Sequence, residues 1–335
     1  MVSSLRRHTA RLLVLLVATT LALGCTLIPG QGSSQSRDVR FGASPIWPIW
    51  PYHMATFRDA FSKAGLQVAF VQMTTPPQVI EAMVAGSLDA GAAPVSSYAT
   101  AIEKGAKIKA VGLLTGTGHP PNTFFVRKAA NIKSWADLHG KTLAVNNYGG
   151  NYDLSLRYML AKAGLDPSAE RIVELPDSAT IQALTSGQVD LGIVSSSLAK
   201  QIENTQGEHV EVLARQTDVD AFRERINGLM LVMNESFIRD NRATARAFIG
   251  VLAENANWVN QNPREALTAF SEMTKNPAVL TQDKPNDFPD GLRLDLPSMQ
   301  GELAMANQFG YVKTRFTAQD IVDLSLLDEY LQGKR

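Results

Sequence analysis

The sequence predicts an α/β protein made of two similar lobes with parallel-rich sheets. Three observations predict it. A phrase of nineteen to twenty residues occurs twice; the elements around each copy come in the same order; and strand-length and helix-length segments alternate along most of the chain. The first copy runs from Gln78 to Ser97 (QVIEAMVAGSLDAGAAPVSS) and the second from Ala179 to Ser197 (ATIQALTSGQVDLGIVSSS). Gly86 answers to Gly187, Asp89 to Asp190 and Gly91 to Gly192, an offset of 101 residues. Each copy reads as an amphipathic helix, a glycine stop, an aspartate turn, a short apolar strand and a serine-rich loop.

The first half opens with a strand at Val39–Gly42. Residues 43–52 (ASPIWPIWPY) hold three prolines, which exclude helix and central strand and predict an ordered aromatic loop. A helix is expected from Tyr52 to Lys63, stopped at Ala64-Gly65-Leu66, then a strand at Gln67–Gln72. Thr74-Thr75-Pro76-Pro77 starts the next helix, with proline in the tolerated first turn. Leu88–Ala93 is a buried strand.

The second half repeats this series. A strand at Thr142–Val145 leads into the loop Asn146–Asn151, a helix over Tyr152–Lys162 and a second Ala163-Gly164-Leu165 stop. A strand at Arg171–Leu175 follows, and Pro176-Asp177-Ser178 caps the next helix. Ile108–Leu114, Thr123–Val126, Val210–Leu213 and Gly228–Met233 supply further strands. The remainder is helical over Glu235–Asp240, Ala243–Asn260, Pro263–Thr274, Leu296–Phe309 and Ala318–Leu331, with an irregular loop at Asp283–Asp290.

Lys+Arg and Asp+Glu both number 32 in a chain of 335 residues, so there is no electrostatic footprint for nucleic acid. Cys25 is the one cysteine, which excludes an internal disulfide and a cysteine metal site. The five histidines lack metal-ligand spacing. Arg6, Arg7 and Arg11 precede an apolar stretch at Leu12–Leu23 that is too short for an ordinary membrane span. It ends Leu21-Ala22-Leu23-Gly24-Cys25, which resembles a bacterial lipoprotein signal. Residues 1–24 are therefore expected to be removed and Cys25 to carry lipid, with a plain secretory signal as the alternative. Residues 25–37 suit a flexible tether. The expected location is the extracytoplasmic face of the cell membrane.

The motifs GSLDAG at 86–91, WADLHGKTLAVNNYGG at 135–150, Leu175-Pro176-Asp177 and GQVDLG at 187–192 come in an order that resembles a family. It is that of the substrate-binding proteins of ABC importers serving alkanesulfonates, taurine, nitrate and thiamine-pyrimidine precursors. The resemblance covers nearly the whole mature chain. It implies the periplasmic binding protein type II fold: two Rossmann-like lobes joined by two crossing strands, here Thr123–Val126 and Gly228–Met233. Lobe 1 is then 38–122 with the return at 233–335, and lobe 2 is 127–227. The resemblance further implies a monomer that closes on ligand and docks to a permease and its ATPase, with no cofactor.

Ligands of open α/β sheets bind beyond the carboxyl ends of the strands. That rule selects the loops 43–52, 73–77, 94–97, 146–151, 176–178 and 195–197. Ser96, Ser97, Ser195, Ser196 and helix-start N–H groups can hold a polar edge or an anion, or only cap their own helices. Trp47, Trp50, Tyr52 and Tyr148 can cover a ring or hydrocarbon, or pack their own loops. Asn146 and Gly149 lie in the loop that touches ligand in the family. Asn122 flanks a hinge, and Asp177 either caps a helix or accepts from an amino group. No loop in the set carries lysine or arginine, which disfavours a multiply charged anion against a monoanion or a neutral heteroaromatic. The aromatic residues of the first loop favour a heteroaromatic vitamin or precursor of pyrimidine or flavin type, with an aliphatic sulfonate, taurine or nitrate as the alternative. Two other functions share this fold group: a pyrimidine-precursor synthase, disfavoured here by the lack of a Cys-rich segment, and a ligand sensor.

Overall fold

The computed structural model describes residues 37–43, 49–117, 122–223, 226–281, 284–285, 288 and 291–333. Two five-stranded sheets organise them. The strands are β1 (Asp38–Ala43), β2 (Gln67–Gln72), β3 (Ala90–Ala93), β4 (Ile108–Thr117), β5 (Thr123–Arg127), β6 (Thr142–Val145), β7 (Arg171–Glu174), β8 (Leu191–Val194), β9 (Val210–Arg215) and β10 (Ile226–Asn234). The helices are α1 (Trp50–Phe57), α2 (Ala60–Lys63), α3 (Pro76–Val84), α4 (Val95–Glu103), α5 (Asn151–Lys162), α6 (Asp177–Ser186), α7 (Ser196–Thr205), α8 (Glu235–Asp240), α9 (Arg242–Gln261), α10 (Pro263–Thr274), α11 (Leu296–Gln308) and α12 (Ser325–Gln332).

The first sheet has the order β2-β1-β3-β10-β4 and the second β7-β6-β8-β5-β9. The orders are equivalent. In each, three successive strands pair in parallel, and the fourth position is filled by an antiparallel strand. That strand is the first one the chain forms on reaching the sheet from the other lobe. Thr123–Val126 and Gly228–Met233 therefore do not run between lobes. Each finds both ladder partners in one sheet, and the passages are the short segments 118–122 and 216–225.

Apolar side chains cover both faces of both sheets. Phe41, Trp50 and Phe248 belong to one layer on the first sheet, and Val79, Tyr98, Met230 and Met299 to the other. In β5 the adjacent Phe124 and Phe125 go to opposite layers of the second sheet, as the two-residue repeat of a strand requires.

Local chemistry sets the element ends. Pro76 and Pro77 occupy the first turn of α3, and Gln78 Oε1 accepts the Thr74 and Thr75 N–H groups at 2.9 and 3.2 Å. The aromatic run is shorter as a loop than the prolines suggested. Pro51 stands in the first turn of α1, where an N–H is not needed, so the helix begins at Trp50. The helix expected to reach Lys63 breaks at Asp59, whose left-handed φ of 52° separates α1 from α2. The helix expected over Ala318–Leu331 is also broken. The Asp323 N–H donates to Ala110 O of β4 at 2.9 Å, and its side chain starts α12 by accepting from Ser325 N–H.

The repeated phrase is scaffold. Gly86 and Gly187 end α3 and α6 with φ of 73° and 81°. Asp89 accepts the Arg40 N–H of β1 at 2.8 Å, and Asp190 accepts the Thr142 N–H of β6 at 3.1 Å. The aspartate thus ties the start of the third strand to the neighbouring first strand in both lobes. Gly91 and Gly192 let a helix touch the sheet: a Cβ there would lie 2.4 Å from Val79 Cγ1 and 2.3 Å from Thr180 Cγ2. Gly192→Ala is expected to cost about 1–3 kcal/mol by overpacking, seen as a lower urea midpoint. An unchanged midpoint would mean that α6 yields freely.

Candidate functional site

The topology places the site. Strand β4 leaves the first sheet at the edge where β1, β2 and β3 end, because β10 runs against all of them. Strand β5 enters the second sheet at the edge where β6, β7 and β8 end. The segment 216–225 likewise joins β9 and β10 at those edges. Both passages therefore connect the carboxyl-terminal rims, and the rims face each other. Five residues, 118–122, separate β4 from β5, so these strand ends lie within about 20 Å.

On the second rim a hydrogen-bonded set surrounds the start of α7. Asn122 is buried, 6% exposed. Its Oδ1 accepts the Ser196 N–H at 3.0 Å, and its Nδ2 donates to Gln216 Oε1 at 2.6 Å. Gln216 Nε2 donates in turn to Asn151 O and Ser155 Oγ at 3.1 and 2.8 Å. The Ser195 N–H donates to Asp177 Oδ2 at 2.8 Å. Burial lifts the Asp177 carboxyl above its ordinary range, and the Ser195 N–H and hydroxyl hold that rise back. Burial, helped by the Asp177 charge, also pushes the Tyr152 phenol well up. The first two N–H groups of the α7 start are thus taken by an amide oxygen and an acid. An incoming anion would have to displace both.

The loop Asn146–Gly150 is held from both lobes. Gly149 is buried with φ of 70°, and its N–H donates to Asp153 Oδ2 at 2.9 Å. Tyr311, which follows α11, donates its hydroxyl to the same oxygen at 2.6 Å. Arg157 Nε donates to Asp153 Oδ1 at 2.9 Å. A Cβ on Gly149 would lie 2.9 Å from Tyr311 Cδ1, so glycine lets the Tyr311 ring approach the loop. Burial, and the bond to Asp153, push the Tyr311 phenol up to about 12, so it stays a donor. Asn146 is exposed in this loop.

The aromatic residues divide differently from the sequence expectation. Trp50 is 1% exposed, with its ring centroid 4.6 Å from that of Phe270. Tyr52 is 6% exposed and stacks on Phe41 at 4.8 Å. Both belong to the core, because the helix that starts at Trp50 turns this face onto the first sheet. His53 packs edge-on to Phe270 in the same layer. Tyr148 is exposed, but its hydroxyl donates to Ile172 O and its N–H to Glu174, which lays it along the outer strand β7. Trp47 and Cys25 lie outside the described residues.

Ser96 is buried and Ser97 half-buried in the first turn of α4, at the carboxyl end of β3. Ser195 and Ser196 are half-buried at the start of α7. Arg215, at the end of β9, is committed to Thr123 Oγ1 and Glu203 at 2.7 Å each. Gln216, Tyr152, Ser155, Asp153 and Tyr311 were not legible as site residues. Tyr152, Asp153 and Ser155 could have been found from helix periodicity behind the Gly-Gly turn. Tyr311 carries no local signal, since its partner is 158 residues away.

A Brucella abortus (strain 2308) protein named as a binding protein is 24% identical over 257 residues, 76% of this chain and 77% of that one. The 4-amino-5-hydroxymethyl-2-methylpyrimidine phosphate synthase of Legionella pneumophila is 26% identical over 170 residues, 49% of this chain and 52% of that one. The crystal structure of the periplasmic aliphatic sulphonate binding protein SsuA from Escherichia coli matches with a TM-score of 0.69 at 18% identity, over 86% of this chain and 92% of that one. It shares the fold, which is that of the type II periplasmic binding proteins. The profile of the NMT1/THI5-like family matches residues 49–266, more than half of the sequence, and the chain belongs to that family.

Proposed function

We propose that this protein captures a small solute between its two rims and delivers it to the permease and ATPase of an ABC importer. The observation that carries this reading is the equivalence of the two sheets, joined rim to rim by two short passages. Two bodies joined in this way can hinge about the passages and enclose a solute. The family and fold described above support the same role.

The solute class follows from what the second rim already holds. Asp177 occupies the start of α7, and Arg215 is committed to Glu203. A flat heteroaromatic with N–H donors, of pyrimidine or flavin type, suits that rim better than a sulfonate or nitrate. Asn122, Asp177, Ser195, Ser196, Asn146 and Gly149 contact it from the second lobe, and Ser96, Ser97 and Trp47 from the first. Export and a lipid on Cys25 hold the protein at the outer face of the membrane.

Melting temperature against a panel of aminopyrimidines, flavins, alkanesulfonates, taurine and nitrate tests the reading. A ligand at 100 times its Kd adds about 2.7 kcal/mol of stability and shifts the transition by several degrees. A shift with no compound in the panel would overturn it. The Legionella likeness supports a second reading, a pyrimidine-forming enzyme. Mass spectrometry after incubation with a metabolite extract freed of aminopyrimidines separates the two: an enzyme forms a new aminopyrimidine, and the binding role requires that none appears.

A further inference from the structure

On α11, Ser298 and Glu302 stand about one turn apart on one face. Glu302 is 0% exposed and Ser298 5%. Among the described residues, the buried side-chain polar atoms without a hydrogen-bond partner are Ser298 Oγ, both carboxyl oxygens of Glu302, and Arg127 Nε. Arg127 belongs elsewhere, beside Asp190 at the opposite end of the second sheet. The unpartnered oxygens are therefore gathered on one turn of α11.

That turn faces the start of α4. The Tyr98 hydroxyl lies 3.8 Å from Met299 Sδ, and the Ser96 N–H is directed at Glu302. Ser96 stands at the carboxyl end of β3, so the cluster reaches the first rim. The matching position in the second lobe, the start of α7, has Asp177. Both helix starts thus carry an acid, but Asp177 has its donors in Ser195 and Glu302 has no completed bond.

We propose that Glu302, with Ser298, forms a first-lobe subsite for an amino group next to a ring nitrogen of the solute. This deepens the heteroaromatic reading and rests on it. A buried carboxyl without a partner is costly, and the group that completes it must meet both of its oxygens. Burial pushes the Glu302 carboxyl up to about 8, so it is mainly protonated at neutral pH. It then presents an O–H donor and a carbonyl acceptor side by side. A 4-aminopyrimidine edge presents the complement, a ring-nitrogen acceptor beside an N–H donor. Opening of the lobes gives access, because α11 packs on α5 of the second lobe.

The test is calorimetric titration of the full chain with two probes. One is 4-amino-5-hydroxymethyl-2-methylpyrimidine; the other is its analogue with methyl in place of the amino group. Wild type should prefer the amino compound at least tenfold. Glu302→Met should weaken both compounds, the amino compound more, and bring them within twofold of each other. Glu302→Gln, whose amide keeps a donor beside an acceptor, should retain most of the preference. Melting curves without ligand confirm folding of both variants. Equal preference in Glu302→Met and wild type would overturn the proposal. If wild type ignores both pyrimidines but binds an alkanesulfonate, this subsite falls and the binding role stands. If it binds nothing in the panel, both fall.

Discussion

Asp153→Ala is expected to cost about 3–5 kcal/mol of folding stability, the range for removing one partner of a buried ion pair. Asp153 is 0% exposed and accepts from three donors: the Gly149 N–H, the Tyr311 hydroxyl and Arg157 Nε. Removing the carboxylate leaves the Arg157 guanidinium, its side chain 16% exposed, without its charge partner. It also releases the backbone of the Gly149 turn. Tyr311→Phe removes one of the three bonds and should cost about 1–2 kcal/mol. Urea midpoints of the single and double variants give the coupling between the two sites. A cost for Asp153→Ala below about 1 kcal/mol would show that this carboxylate is solvated rather than structural. The same contact has a functional reading, because Tyr311 comes from the return to the first lobe and the loop it holds belongs to the second. Tyr311→Phe therefore loosens a brace across the two lobes as well as a turn.

Glu302→Gln is expected to make the protein more resistant to alkaline pH. The Glu302 carboxyl sits at about 8 in the folded chain, against 4.5 as its ordinary value, and burial is the main cause. Between those values the folded state keeps a proton that the unfolded state has released. Stability therefore falls as pH rises from about 4.5 to about 8 and levels off above. Each unit of difference is worth about 1.4 kcal/mol. The wild type then loses on the order of 3–5 kcal/mol across the window through this one group. Glutamine carries no such proton. Urea midpoints of the variant should match wild type near pH 5 and exceed it at pH 9. Parallel pH profiles for the two proteins would refute the buried ionisation.

These two residues also mark where sequence reasoning stops. The phrase at Gln78–Ser97 and its copy were legible because each part acts over a few residues. Proline enters the first turn of α3, a left-handed glycine ends α3 and α6, and the aspartate that follows turns into a strand. Such signals are properties of the local backbone, and they located the strand ends that form both rims. Ser96, Asp177, Ser195 and Ser196 could be placed at the rims in this way, because a residue just beyond a strand end is placed by counting. The aromatic run was misread for the same reason. Proline statistics describe a loop, but the inward face of α1 depends on Phe41, Phe248 and Phe270, which no local pattern couples to Trp50 and Tyr52.

By itself, then, the sequence determined the alternation of elements, the duplication and the nature of each strand end. Tertiary structure alone decided three further things. It placed one antiparallel strand in each sheet, supplied directly from the passage between lobes. It drew Trp50 and Tyr52 into the core. It brought α11 and Tyr311 onto the rims, with Glu302 facing α4 and Tyr311 bonded to Asp153. The physical reason is common to all three. Strand pairing, burial and side-chain hydrogen bonds satisfy groups that lie far apart in the chain, and whether they meet is settled by the packing of the whole domain.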